Sequence, residues 1–221
     1  MVSMRTLKRL LFAVLAAWGV LSVYVFLWFR DRYSGRGPMP YTMRWILHSP
    51  LRGLVHPVQP MLAKFGLRPG TTVLELGPGN GYFSIEAACL LGSGGRLVCL
   101  DIQPPMLHDL HGRLTAAGVT NAHPIVGDAH HLPLAAASVD VAFLVTVLGE
   151  IPDRPQGLAE LRRVLKPGGI LSITEHLTDP DYQFEDTVRD LCRASGFAPE
   201  EHQRRFLGFT MNFAAPQSST P

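Results

Sequence analysis

Little in this sequence is in excess. Only three of its 221 residues are cysteine, and Cys89, Cys99 and Cys192 form neither a CxxC pair nor an even-numbered framework, which argues against a disulfide-stapled scaffold and suits a reducing compartment. Their apolar surroundings (ACLL, LVCL, LCRASG) predict that all three are small buried hydrophobes. Charge is almost balanced, with 20 Lys and Arg against 18 Asp and Glu. A net +2 supplies no broad field to gather nucleic acid. Nine histidines are present, yet His130 and His131 are adjacent and His108 and His111 form an isolated pair. Neither set carries the accompanying Cys, Asp or Glu of a metal signature, so no metal is expected.

Charge is missing altogether from Leu10 to Phe29, LLFAVLAAWGVLSVYVFLWF. As a helix, twenty such residues would extend about 30 Å, the thickness of a bilayer core. The stretch exceeds a signal-peptide apolar region and no clear A-x-A site follows it, so residues 1–30 are expected to form a retained single-pass membrane anchor. Arg5, Lys8 and Arg9 precede the run, while Arg30, Arg32, Arg36 and Arg44 follow it, a bias of one charge toward a cytoplasmic catalytic domain. Residues 31–56 read as a linker and N-terminal cap segment: DRYSGRGPMP is rich in Gly and Pro, and the prolines and histidines up to Pro60 suggest short pieces that cover something. A first helix is expected near Gln59–Gly66.

From residue 57 to 215 short apolar runs alternate with longer amphipathic ones. TVLEL, RLVCL, AHPIV, VDVAFLV and GILSITE read as strands. YFSIEAACLLG, PPMLHDLHGRLTAAG and RPQGLAELRRVLKPG read as helices ending at or near glycine. After a further helix, FEDTVRDLCRASGF, two strands meet at a tight turn around Leu207–Phe209 and must therefore be antiparallel. The expected fold is a doubly wound, Rossmann-like α/β sheet of seven strands, five parallel plus a C-terminal antiparallel hairpin, after one transmembrane helix. Residues 216–221 are expected to be a disordered tail.

The third glycine of the dinucleotide fingerprint GxGxxG is also missing, because Tyr82 takes its place in Gly77-Pro-Gly79-Asn-Gly81. An NAD(P)-dependent oxidoreductase becomes the second choice. A glycine-rich turn from strand to helix still offers a cofactor backbone N–H groups and no Cβ in the way. Asp101, ending the second strand 24 residues after Gly77, would reach the same crevice, where a carboxylate accepts ribose hydroxyls; a strand-end or capping role is the alternative.

The ordered series Glu75-Leu-Gly77-Pro-Gly79-Asn-Gly81, Asp101, Gly127-Asp128-Ala129 and Leu165-Lys-Pro-Gly168-Gly169 resembles class I S-adenosylmethionine-dependent methyltransferases, in particular the ubiquinone and menaquinone biosynthesis group with its methyltransferase type 11 domain. The resemblance covers about residues 57 to 213. It implies S-adenosyl-L-methionine as cofactor, with Gly77, Gly79 and Gly81 at its methionine part, Asp101 at the ribose and Asp128 at the adenine amino group. It also implies Ile102 as an apolar wall, Ala129 at the adenine ring and Thr146 beside the crevice. Glu75 is expected to order the loop or hold the cofactor's ammonium. Lys166–Gly169 is read as a helix stop and turn.

Methyl transfer from a sulfonium needs chiefly an in-line nucleophile, so the lack of a catalytic dyad argues against nothing. Candidate catalytic groups are Glu150, His176 and Tyr182, with His48 and His56 as further candidates to line an acceptor pocket. The expected function is methyl transfer to a small, lipophilic acceptor at a membrane. The remaining alternative is a non-catalytic, membrane-tethered binding module.

Overall fold

The computed structural model describes residues 37–42, 44, 57–205 and 207–217, together with the isolated Gly19. Apart from Gly19, the expected anchor lies outside the described residues, as do His48, His56 and the last four residues of the expected tail. Among the described residues no helix is long and apolar enough to cross a membrane.

A seven-stranded mixed sheet organises the chain. Its strands are β1 (Thr72–Leu76), β2 (Arg96–Asp101), β3 (Ala122–Val126), β4 (Val139–Val145), β5 (Leu165–His176), β6 (Ala198–Arg205) and β7 (Gly208–Ala214), in the order β3-β2-β1-β4-β5-β7-β6. The first five are mutually parallel, and β7 lies antiparallel between β5 and β6. The parallel strands need crossovers. Three are helical, α2 (Ser84–Leu91), α3 (Pro104–Ala116) and α4 (Arg154–Val164), while α1 (Val58–Leu62) precedes β1 and α5 (Glu185–Ala194) leads into β6.

Local chemistry sets the helix ends. Gly92, with φ of 66°, terminates α2 in a conformation that other residues adopt only with strain. Pro104 opens α3, where a missing N–H costs nothing. The Asp153 side chain accepts the Gln156 N–H to cap α4.

Alternation within each strand feeds two cores. Leu74, Leu100, Leu144 and Ile173 point to the face covered by Leu158 and Leu161 of α4 and Val188 and Cys192 of α5. Val73, Leu97, Val141 and Phe143 point to the opposite face, against α1, α2 and α3, where Phe65 and Phe143 stack at 5.1 Å. Burial of each such ring stabilises the fold by roughly 1.5–3 kcal/mol.

The structure corrects several expectations. Cys89 is exposed, because it falls on the solvent side of α2; Cys99 and Cys192 are buried. Lys166–Gly169 is no free turn, since α4 already ends at Val164 and these residues form the irregular start of β5, with a register shift opposite Val139–Val141. The first helix stops at Leu62, four residues short of Gly66. The C-terminal hairpin turns before Gly208, because β7 already begins there in register with His176.

Candidate cofactor and acceptor site

At the carboxyl edge of the parallel strands lies a cavity of about 410 Å³, within the range of small-molecule sites. Its floor is the loop after β1. Gly77, Gly79 and Gly81 all have positive φ, at 72°, 55° and 86°. A Cβ on Gly77 would come within 2.5 Å of Val147 Cγ2, so glycine is required there by both conformation and space. The three glycine N–H groups are already engaged, donating to Leu100 O, Asp101 Oδ2 and Pro78 O. The loop's offering to a ligand is therefore an absence of side chains rather than the row of free donors that its sequence suggests.

Two members of the loop series face elsewhere. Gly81 does not line the cavity; it makes room for Leu110 of α3. Glu75 is buried beneath the loop, accepting the Ser84 hydroxyl at 2.6 Å and meeting Cys99 Sγ at 3.8 Å. Its side chain ties β1 to the first turn of α2 and orders the loop from behind, outside the cavity wall.

Asp101 lines the cavity and is largely buried. Oδ2 accepts Gly79 N–H at 3.0 Å and Oδ1 accepts Gln103 N–H at 2.9 Å, so the carboxylate braces the loop and the entry to α3 at once. Burial raises its pKa, and these N–H groups oppose the rise. A carboxylate has about four acceptor positions, which leaves capacity for ligand hydroxyls. Ile102 beside it is half exposed and forms an apolar wall.

Across the cavity Asp128 and Ala129 follow β3. Asp128 Oδ1 accepts His130 N–H at 2.9 Å and meets His130 Nδ1 at 2.6 Å. Because His130 Nε2 accepts the Asp153 N–H, the proton resides on Nδ1 and is donated to Asp128. The backbone N–H of His130, then its ring, holds the Asp128 carboxyl below the usual range. Sequence reading passed over His130; its place after Gly-Asp-Ala was the available signal.

The other half of the cavity follows β4 and β5. Thr146 lines it with φ of 55°, a left-handed conformation that a β-branched residue adopts only at a cost of about 1–3 kcal/mol. Of the three catalytic candidates only Glu150 reaches the cavity wall. Burial, then the neighbouring Asp179, pushes its pKa up to about 8, so the side chain is mostly protonated at neutral pH. Its Oε1 accepts the Met39 N–H at 3.2 Å. His176 is buried beside the site, with Nδ1 3.0 Å from the Thr178 hydroxyl, and burial lowers its pKa. Tyr182 packs edge-on against Phe184 and Phe209. Neither lines the cavity.

Two further segments complete the wall. Asp179, Pro180 and Asp181, in the loop after β5, add acidic groups to the β4–β5 side of the cavity. Gly37–Pro40, within the expected linker and cap segment, line it as well. Met39 is pinned at both ends, since its carbonyl also accepts Gln103 Nε2 at 3.0 Å. Tyr41 and Arg44 hold the same segment to Asp109 of α3. No local pattern announces such long-range ties.

A profile of the methyltransferase-domain family matches residues 67–208. The chain is 35% identical over 111 residues to the ubiquinone/menaquinone biosynthesis C-methyltransferase of Haemophilus ducreyi, covering 50% of this chain and 43% of that protein. It is 31% identical over 109 residues to the arsenite methyltransferase of Halobacterium salinarum, covering 49% of this chain and 28% of that protein. The match thus spans less than half the length of these curated relatives. Among solved structures, a SAM-dependent methyltransferase from Aquifex aeolicus superposes with a TM-score of 0.77 at 21% identity, over 80% of this chain and all of that one. The [4+2]-cyclase SpnF does so at 0.67 and 16% identity, over 77% and 84%. The fold is common to both, and the second shows that it also carries other chemistry.

Proposed function

Because the chain belongs to the SAM-dependent methyltransferase-domain family, with S-adenosyl-L-methionine as its cofactor, we propose that it transfers a methyl group to a small, lipophilic acceptor at a membrane. The observation that carries this reading is the cavity itself: a side-chain-free loop on one side, and acidic groups and apolar walls around one space at the carboxyl edge of the sheet.

The residues present fit the cofactor. Gly77 leaves the opening that any Cβ would close. Asp101 stands where it would accept ribose hydroxyls, and Asp128 where it would accept an adenine amino group. Ile102 and Ala129 are the apolar walls between them. Asp101, Asp179, Asp181 and Glu150 place acidic groups around a ligand that bears a sulfonium and an ammonium. When bound, that cofactor supplies an electrophilic methyl group.

What the chain then contributes is position and exclusion. Thr146 and Val147 after β4 line the cavity, where they would help to orient an acceptor. The Gly37–Pro40 strap lines the same cavity and, with ligands seated, would help to keep water from the methyl group. Glu150, in its ionised minority form, is placed to take a proton from the acceptor, while its protonated form donates a hydrogen bond. The acceptor's lipophilic character and membrane setting are supported by the named quinone-methylating relatives and by the charge-free run from Leu10 to Phe29. The same run, with the bias of Arg30, Arg32 and Arg36, supports a single-pass anchor and a cytoplasmic domain.

The test is calorimetry on the full chain followed by transfer of labelled methyl groups to extracted lipids and quinones. Binding of S-adenosylmethionine with label in the apolar fraction is expected. Binding of NAD in its place would overturn the cofactor, and cofactor binding without transfer to any acceptor would leave a binding module.

A further inference from the structure

Among the described residues five large apolar side chains stand exposed: Leu90, Ile102, Val126, Leu177 and Phe184. Four of them share one edge of the molecule. Ile102 follows β2, Val126 ends β3 and Leu177 follows β5, all at the carboxyl ends of parallel strands where the cavity opens. Phe184 belongs to the same edge, since the neighbouring Gln183 N–H donates to Glu175 near the end of β5. Leu90, at the end of α2, lies toward the opposite edge, where β2 begins.

The pairs bracket the cavity. Val126 and Ile102 stand on its β3–β2 side, while Leu177 and Phe184 stand on its β5 side. Four strand spacings, about 19 Å, separate β3 from β5. The second pair has apolar and basic neighbours. Leu177 N–H donates to Leu207 O in the hairpin turn, and Phe184 leans on Tyr182. Arg205 pairs with Gly208, which in turn pairs with His176, so Arg205 stands beside the apolar group, while Arg204 is ion-paired with Glu185 next to Phe184. Exposed apolar side chains with an arginine beside them suit the interface of a bilayer, where rings and aliphatics enter the acyl boundary and a guanidinium meets phosphate.

The chain's own sequence names the occupant. The charge-free run ends at Phe29, and Gly37 already lines the cavity mouth. The seven residues between them, 30–36, extend at most about 28 Å, and three are arginine. A mouth tethered so closely to the apolar run lies within reach of the bilayer, and the two apolar pairs stand on either side of a cavity that Asp179 and Asp181 also line.

We infer that the carboxyl edge of the sheet docks on the lipid bilayer through Val126, Leu177 and Phe184, so that a lipophilic acceptor enters the cavity directly from the membrane. This inference rests on the membrane attachment proposed above and adds an orientation to it. An acceptor passing from acyl chains into an apolar-walled cavity never has to expose its apolar surface to water.

The experiment places a nitrobenzoxadiazole label at single introduced cysteines in the full chain. The parent carries Cys89→Ser, which removes the exposed thiol while Cys99 and Cys192 stay buried. Val126→Cys, Leu177→Cys, Phe184→Cys and Leu90→Cys variants are reconstituted into phosphatidylcholine–phosphatidylglycerol vesicles containing spin-labelled phosphatidylcholine. Labels at 126, 177 and 184 are expected to lose most of their emission, with a blue shift, while the label at 90 keeps its own. A chain that floats with the vesicles, yet shows position 126 or 184 quenched no more than position 90, overturns the docking and leaves the anchor standing. A chain that fails to float overturns the membrane reading and the docking together.

Discussion

On the β1–β3 side of the cavity, the polar contacts that shape the wall join neighbours in the fold: Gly79 to Asp101 at the end of the adjacent strand, and Asp128 to His130 two residues on. On the β4–β5 side Glu150 is held by Met39, 111 residues away. The first half is assembled mainly from strand ends and turns that each strand carries with it. The second has Glu150 held by a distant segment, and that segment also reaches Gln103 and Asp109, so it ties the two halves together. Under the proposed assignment, local backbone chemistry holds the cofactor half constant, while the strap and the loop after β5 set the acceptor half.

The largest expected effect comes from breaking the local half at its most constrained point. Gly77→Val drives a branched side chain into Val147 at a φ of 72°, and calorimetry should show cofactor binding abolished along with about 1–3 kcal/mol of stability. Retained binding would show that the loop is not the cradle. Asp101→Ala comes next. It frees two N–H groups on opposite sides of the cavity floor, so denaturant unfolding should register a loss of roughly 1–3 kcal/mol and titration a weaker cofactor. The bonds within the protein make this variant less selective for ligand binding than the bare position of Asp101 in the sequence implies.

Glu150 sharpens the comparison through pH. Its folded pKa, about 8, stands above the usual 4.5, so between those values the folded state holds more protons than the unfolded one. Stability must then fall as pH rises through that window and level off above it. Glu150→Gln should flatten the thermal midpoint between pH 5 and pH 8.5 relative to the parent, leave cofactor affinity near its original value and slow methyl transfer. An unchanged slope would assign the dependence to Asp101 and Glu175, whose pKa values burial also raises. The smallest effect belongs to Lys166→Ala. Its exposed ion pair with Asp140 lies at the far end of β4 from the cavity and is worth at most about 1 kcal/mol, with neither half of the site disturbed.

The same division explains what the sequence made legible. TVLEL and VDVAFLV begin and end where the strands do, because a strand buried on both faces is a continuous apolar run bounded by turn residues. AHPIV also matches its strand, although β3 is the half-exposed edge of the sheet. Asp101 was readable because it ends β2, and Asp128 because the Gly-Asp turn follows β3. Lys166–Gly169 misled because Gly and Pro signal a stop, whereas here they form a bulged strand start with Gly168 at φ 71°. Cys89 misled because its helix is only eight residues long and exposes one side. The strap at Gly37–Pro40 and the acids at 179 and 181 have no periodic signature, since their places are set by contacts between segments far apart in sequence.

The antiparallel seat of β7 between β5 and β6 also governs how the domain is made. Phe209, Met211 and Phe213 complete the core beside Leu171 and Ile173, yet they follow every other strand in the chain. During synthesis β5 would emerge with its outer edge unpaired, and it would stay so until residues 208–214 clear the ribosome. The nascent domain therefore passes through a stage in which the outer edge of β5 is open to any other strand.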